Sequence, residues 1–293
     1  MRALLLGRKA TGYSARRLGE AFRERGHELV PVDPLECAAI VGEGGLEVRR
    51  GGETITGDGV LPRFGPGLTE FGLQLLRHFE SLGLPSLNSS DSIDKARDKF
   101  RCLQILAAAG LPVPSTVMAR SPRDLDRVLD RVGAAPVIVK VLKGSQGTGV
   151  VLLREREEAR RFLDIAWSQK QNLLVQRFVG ESRGRDLRVL VLGDRAVAAM
   201  ERQAEEGEFR ANLHRGSRGR AVEPRGEAAA LAVRASRAVG LQLAGVDLLP
   251  AEGGAVVLEL NPSPGLEGIE AATGQDLAGR IVDSWTDHVC ARR

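Results

Sequence analysis

The spacing of apolar residues changes character twice along this 293-residue chain, and each change marks a unit that must bury surface of its own. In the first unit strand and helix signals alternate. Residues 3–6 read as a strand, and a helix from about Ser14 carries Ala15, Leu18 and Phe22 on one face until Gly26 ends it. A second strand at 28–32 runs into Asp33-Pro34, and 46–50 and 53–56 flank Gly51-Gly52 as a hairpin. A strand at 60–62 then feeds a helix in which Leu68, Phe71, Leu75 and Phe79 recur at helical spacing. Residues 1–94 are therefore expected to form a small α/β domain.

The second unit, 95–184, mixes elements without strict alternation. A helix over 91–109 points Phe100, Leu103 and Leu106 to a core and stops at Gly110 and Pro112. Strands are expected at 116–119, 137–140, 149–153 and 173–178, with helices at 124–132 and 155–167. From Arg185 onward strands come in pairs. Segments 187–192 and 196–201 join through Gly193-Asp194, and 244–249 and 255–260 join through Glu252-Gly253-Gly254. A polar Gly- and Arg-rich loop and a helix at 227–239 separate the pairs, and the tail is helical to about 289. Residues 185–293 form the third expected unit.

Composition narrows the class of protein. The chain is 43% hydrophobic, enough for two or three cores, and has no apolar run near the ~20 residues of a membrane helix. Met1 leads straight into a strand with no signal-peptide pattern, so a soluble cytoplasmic protein away from membranes is the expectation. Cys37, Cys102 and Cys290 lack paired spacing and read as reduced thiols that pack or lie exposed. A net charge of +4 permits an acidic partner or a nucleic acid without requiring either. With one tyrosine and two tryptophans, a stacking platform for single strands is poorly supported. Arginine dominates the basic residues, leaving only Lys9, Lys95, Lys99, Lys140, Lys143 and Lys170 as lysines.

Three constellations carry chemistry. Lys140 shares a strand face with Ile138, so its ammonium stands at the mouth of an apolar layer where an anion would offset desolvation. The following Gly144-Ser145-Gln146-Gly147-Thr148-Gly149 can bring backbone N–H groups close to phosphate oxygens. The lysine precedes the glycines, so this is no Walker loop, and taken alone an ordinary surface hairpin explains it as well.

The second constellation is Asp247 followed by Glu259-Leu260-Asn261. Strand alternation predicts Val257, Glu259 and Asn261 on one face and Val256, Leu258 and Leu260 on the other. Two carboxylates in apolar strands repel unless a cation neutralises them, and oxygen-only ligands favour magnesium or manganese over zinc. The plain alternative is a hydrogen-bonded cross-strand pair at a wet edge. In the third constellation Arg202, Arg210 and Arg215 could hold a phosphoryl group or carboxylates by bidentate bonding, against the alternative of a solvated basic loop. His214 is as readily structural as catalytic. No Ser–His–Asp order or nucleophile elbow is present.

Lysine, glycine loop, later Asp and Glu-x-Asn in that order resemble the ATP-grasp superfamily, and the whole chain resembles its RimK branch. The similar runs are Ala96-Arg97-Asp98-Lys99, Gly144-Ser145-Gln146-Gly147, Asp186-Leu187-Arg188, Phe209 through Gly216, and Asn261-Pro262-Ser263-Pro264-Gly265-Leu266-Glu267-Gly268-Ile269-Glu270. The resemblance implies an α/β and α+β ATP-grasp fold with an N-terminal, Rossmann-like pre-ATP-grasp domain, a central lid and a C-terminal domain. ATP would lie between the last two. By position, Lys99 and Lys140 would contact its phosphates beside the loop Gly144, Ser145, Gln146, Gly147. Gln176, Arg177, Phe178 and Val179 would face adenine, largely through backbone groups, and Asp186 the ribose. Asp247, Glu259 and Asn261 would hold two Mg2+ or Mn2+ ions, and Arg202, Arg210, Ala211 and Asn212 would adjoin nucleotide and phosphoryl group, with Arg202, Arg210 and Asn212 as the catalytic set. Arg177 stands where Glu is usual, Pro262 where a small residue is usual, and Ala211 where Ser is usual.

The implied reaction is stepwise: a terminal carboxylate attacks the γ-phosphate to give an acylphosphate, and the amine of incoming L-glutamate displaces phosphate. The implied acceptor is the C-terminus of the sixth small-subunit ribosomal protein, with one or several glutamates added by an enzyme expected to be a homo-oligomer. Similar relatives attach glutamate to pterin or deazaflavin cofactors, or other amino acids to carrier proteins. A non-catalytic nucleotide- or RNA-binding module is the alternative of a different class.

Overall fold

The computed structural model describes residues 1–8, 12–133, 135–141, 149–205 and 218–292. The N-terminal unit is built on β1 (Arg2–Leu6), whose Ala3 through Leu6 are buried on both faces, as the central strand of a parallel sheet requires. It follows with α1 (Tyr13–Glu24), β2 (Glu28–Val32), β3 (Cys37–Gly42), β4 (Gly45–Arg50), β5 (Glu53–Thr54), β6 (Gly59–Pro62) and α2 (Thr69–Ser81). β1 lies between β2 and β6, parallel to both, the Rossmann-like arrangement expected of this region. The hairpin around Gly51 and Gly52 forms between β4 and β5, with both glycines at positive φ. β3 was not foreseen; it adds to β4 as an exposed antiparallel strand of mostly short side chains that carry little periodicity. Phe71, expected to face inward, is 48% exposed, while Leu73, Leu75, Leu76 and Phe79 fill the core.

The expected helix over 91–109 is two helices, α3 (Ser90–Arg97) and α4 (Lys99–Ala108). Asp98 makes the break: its carboxylate accepts hydrogen bonds from Phe100 N (3.1 Å) and Arg101 N (3.0 Å), capping α4. Lys99 thereby stands on the first turn of a new helix.

Next come β7 (Thr116–Ala119), α5 (Leu125–Arg131), β8 (Val137–Val141), β9 (Val150–Leu153), α6 (Arg156–Ser168) and β10 (Leu173–Arg177). Their antiparallel sheet runs β7-β10-β8-β9. α5 and α6 close one side of it in a separate core of Val137, Val139, Leu153, Leu163, Trp167 and Val175 among others. The alternate residues Ile138 and Lys140 are thereby turned to the opposite face.

The last unit contains β11 (Arg185–Leu192), β12 (Arg195–Gln203), β13 (Arg218–Val222), α7 (Gly226–Val239), β14 (Leu243–Ala251), β15 (Gly254–Asn261), α8 (Glu267–Thr273) and α9 (Leu277–Cys290). Its antiparallel sheet runs β13-β12-β11-β14-β15. One face packs on α7 and α4 through Val189, Val191, Val246 and Leu260. The other face is apolar at one end, where Leu190, Leu192, Met200 and Leu243 share a core with Leu5, Phe22 and Trp285 of the N-terminal sheet, α1 and α9. The first and third units are therefore welded by a common core, whereas β7 to β10 with α5 and α6 close a core of their own and α4, at the start of the middle unit, packs on the last sheet. Trp285 meets Phe22 edge-on at 5.2 Å.

Two polar groups lock that weld. Buried Asn88 donates to Leu243 O and Pro262 O and accepts from Gln242 N and Leu243 N, which satisfies the amide completely. Glu270, the last residue of the long branch-like run, accepts from Leu277 N and Ala278 N at the start of α9 and from the Tyr13 hydroxyl. Among the described residues no helix is long and apolar enough to cross a membrane.

Candidate active site

The other end of the same sheet face is charged. Asp247 on β14 pairs directly with Glu259 on β15, and Gly245 with Asn261, so both carboxylates and the amide lie on one face. The register slips just past Asp247, leaving Leu258 as an extra residue in β15. That bulge corrects the alternation expected from sequence: Val257 is buried with Leu260 in the core against α7 rather than beside Glu259. Glu259 and Asn261 keep the site face because they lie beyond the bulge. The Asn261 side-chain oxygen accepts from Ser263 N at 3.0 Å, which fixes the amide with that oxygen identified.

Asp247 is 5% exposed and would repel Glu259 across the strand pair, so its charge needs partners. Arg188, directly opposite on β11, bonds it bidentately with two contacts of 2.7 Å. Arg202 adds an ion pair of 3.1 Å and holds Asp186, its own cross-strand partner, by two contacts of 2.6 Å. Alternating signs thus run Asp186, Arg202, Asp247, Arg188 across three strands. Burial opposes charge on Asp247, but Arg188 and Arg202 outweigh it and hold that carboxyl below its usual range. At Asp186 burial and the charge of Asp247 win instead, and its carboxyl is pushed up. Burial likewise opposes charge on Arg202, and Asp247 and Asp186 overcome it.

Lys140 on β8 donates to the Gln176 carbonyl oxygen on β10 at 2.7 Å, and the Gln176 amide donates to Thr116 on β7 at 2.8 Å. No carboxylate pairs with this lysine among the described residues. Burial pulls its ammonium down to about 8; Glu259 opposes that and Lys99 adds to it. Lys140 on β8 is thus within electrostatic reach of Glu259 on β15 and of Lys99 at the start of α4.

The remaining assignments divide. The Arg177 side chain turns to Glu181 and its backbone N–H donates to Ser115 O at 2.8 Å, Val179 is buried, and Phe178 follows at the end of β10. Gly144, Ser145, Gln146, Gly147, Arg210, Ala211, Asn212, His214 and Arg215 lie outside the described residues. Arg188 has no role in the motif pattern, although its place two residues after Asp186 sets it on the same face of one strand. Thr116 gave no signal. Cys102 backs β15 with its thiol pushed up to about 12 by burial and by Glu259, so it is no nucleophile at neutral pH.

The oxygen donors of Asp247, Glu259 and Asn261 are of the kind a hard divalent cation takes, with both Asp247 oxygens here bonded to arginine, and among the described residues no group of three His, Cys, Asp or Glu could hold a metal ion.

Comparison with known proteins gives the family and the fold. Residues 96–285 match the model of the RimK-like ATP-grasp domain and residues 1–93 that of the RimK PreATP-grasp domain. A relative from Thioalkalivibrio sulfidiphilus named probable alpha-L-glutamate ligase is 46% identical over 283 residues, covering 96% of this chain and 94% of its own. The ATP-grasp ligase PsnB, solved with a phosphomimetic variant of its minimal precursor, Mg and ADP, superposes with a TM-score of 0.76 at 24% identity, covering 98% of this chain and 99% of its own. A RimK domain ATP-grasp protein from Sphaerobacter thermophilus gives 0.72 at 24% identity, covering 97% of this chain and 99% of its own.

Proposed function

We propose that this chain, which belongs to the RimK-like ATP-grasp family, uses ATP to join the amine of L-glutamate to a carboxylate at the C-terminus of a small-subunit ribosomal protein. The family is one of ATP-dependent ligases, and relatives near 45% identity across almost the whole chain are named for glutamate ligation. The observation that supports the reading is the cross-strand placement of Asp247 opposite Glu259 and of Gly245 opposite Asn261, which sets two carboxylates and an amide on one sheet face.

In this reading Lys99 and Lys140 take the phosphates together with the loop at 144–147. Gln176 through Val179 border adenine, with Arg177 offering backbone, and Asp186 stands on the ribose side. Asp247, Glu259 and Asn261 would hold two Mg2+ or Mn2+ ions, which neutralise charge developing on the transferred phosphoryl group. Arg188 and Arg202 fix Asp247 in place for that task. The acceptor carboxylate takes the γ-phosphoryl group, and the glutamate amine then displaces phosphate to leave an amide. Arg210 and Asn212 adjoin the phosphoryl group, and closure of the lid sheet would keep water from the activated acyl group.

Mass spectrometry of candidate acceptors after incubation with ATP, magnesium and glutamate tests the reading. A gain of one or more glutamyl units on a ribosomal-protein tail is expected. Gain on a cofactor or carrier protein alone would move the acceptor, and RNA binding with steep salt dependence but no phosphate release would replace the ligase with a binding module.

A further inference from the structure

A second cationic pair joins the N-terminal unit to the segment that follows β15. Arg63 follows β6 in the N-terminal unit, and Arg97 ends α3. Arg63 Nη2 donates to Pro264 O at 2.7 Å, and Arg97 Nη2 donates to Phe64 O at 2.9 Å. Arg63 Nη1 and Arg97 Nε are buried without a hydrogen-bond partner among the described residues. Close backbone approaches assemble the place. A Cβ on Gly7 would stand 2.8 Å from Arg63 O, and one on Gly245 would stand 2.9 Å from Pro264.

Among the described residues the two guanidinium groups lack a carboxylate in contact. Burial draws Arg63 down to about 10, and the charge of Arg97 pulls the same way. Burial also lowers Arg97, with Glu259 in partial opposition. Neither arginine forms an ion pair with a carboxylate among the described residues, in contrast to Arg188 and Arg202, which are saturated by Asp186 and Asp247. Two like charges packed together with idle donors are costly unless an anion joins them.

Guanidinium donors in a planar fork match a carboxylate. The choice among substrate carboxylates follows from reactivity. The acceptor carboxylate must attack phosphorus, and two fixed cations would withdraw its electron density, whereas carboxylates of the incoming amino acid take no part in bond making. We propose that Arg63 and Arg97 form a dicationic subsite for a non-reacting carboxylate of the amino acid that supplies the amine. This rests on the ligase reading for the identity of that amino acid, and on the arginine geometry for the subsite itself.

Calorimetric titration of glutamate into the full chain, with ADP and magnesium present, reads the subsite without turnover. Arg63→Gln and Arg97→Gln are each expected to weaken glutamate about tenfold or more while leaving ADP affinity within about twofold, the effect of one lost charge-assisted contact. Arg97→Lys, which keeps charge and loses the fork, should fall between, and it serves as the readout if a glutamine variant does not fold. Glutamate analogues amidated at the α- or the side-chain carboxylate identify the group held: one of the two should lose affinity in wild type and become insensitive to the arginine variants. Equal glutamate affinity in wild type and variants, ADP affinity that falls in step, or no glutamate binding by wild type would each overturn the subsite. Turnover is scored apart. Ligation with unchanged glutamate affinity in the variants sinks the subsite and spares the ligase reading, while glutamate binding without ligation of any acceptor does the reverse.

Discussion

The five-stranded sheet and the four-stranded sheet of β7 to β10 solve the problem of buried charge in opposite ways. On the five-stranded sheet, Asp186 and Asp247 are matched by Arg202 and Arg188 through bidentate contacts, so that face is neutralised from within. On the four-stranded sheet Lys140 has, among the described residues, a single hydrogen-bond partner, the Gln176 side-chain amide oxygen, and burial draws its ammonium down to about 8. The compensated face is set before any ligand arrives, and the uncompensated one gains most when an anion does. That difference is what a clamp on a phosphate requires: one jaw holding carboxylates in fixed positions, the other carrying a cation that the nucleotide completes.

The sharpest way to break the contrast is to remove the shared cation of the fixed jaw. Arg202→Leu should lower unfolding free energy by ~3–5 kcal/mol, because it leaves buried carboxylates without their partner. Denaturant melts would show it, and a loss under ~1 kcal/mol would mean the network is solvated. Glu259→Gln, at an exposed edge, should leave the melt near wild type while ligation falls by ~100-fold or more. Near-normal turnover would remove Glu259 from the site.

The open jaw is probed by pH. Lys140 in the free protein loses its proton near pH 8, and phosphate binding favours the charged form, so nucleotide binding above that pH should take up a proton. In the same window, between about 8 and the ordinary 10.5, the unfolded chain binds the extra proton and this group's penalty on folding fades as pH rises. Calorimetry in buffers of different ionisation heat measures the uptake. Lys140→Arg should abolish it, and an unchanged uptake would assign it elsewhere. The smallest effect belongs to Arg177, whose exposed pair with Glu181 is worth ~0–1 kcal/mol, so Arg177→Ala should leave both stability and ATP affinity nearly unchanged.

Most of this architecture could be read from apolar spacing and punctuation. The strands carrying Lys140, Asp247 and Glu259 announce themselves by length and by flanking glycines, and the order of the motifs placed them in one family. Three things could not be read. The Asp98 break looks like one more acid on a helix until its carboxylate is seen to cap. The bulge at Leu258 leaves no trace in an apolar run, so alternation put Val257 on the wrong face. Arg188 and Arg202 differ from the other arginines only by which residue lies across the strand, and register is a tertiary fact.

Everything in the account turns on Asp247, Glu259 and Asn261 facing Lys140 around one nucleotide. A crystal structure with manganese and a non-hydrolysable ATP analogue tests this directly through the anomalous signal of the metal. Manganese in direct contact with those three side chains, and phosphate oxygens on Lys140, are expected. Manganese bound elsewhere, or phosphates held away from Lys140 with Asp247 still enclosed by Arg188 and Arg202, would contradict it.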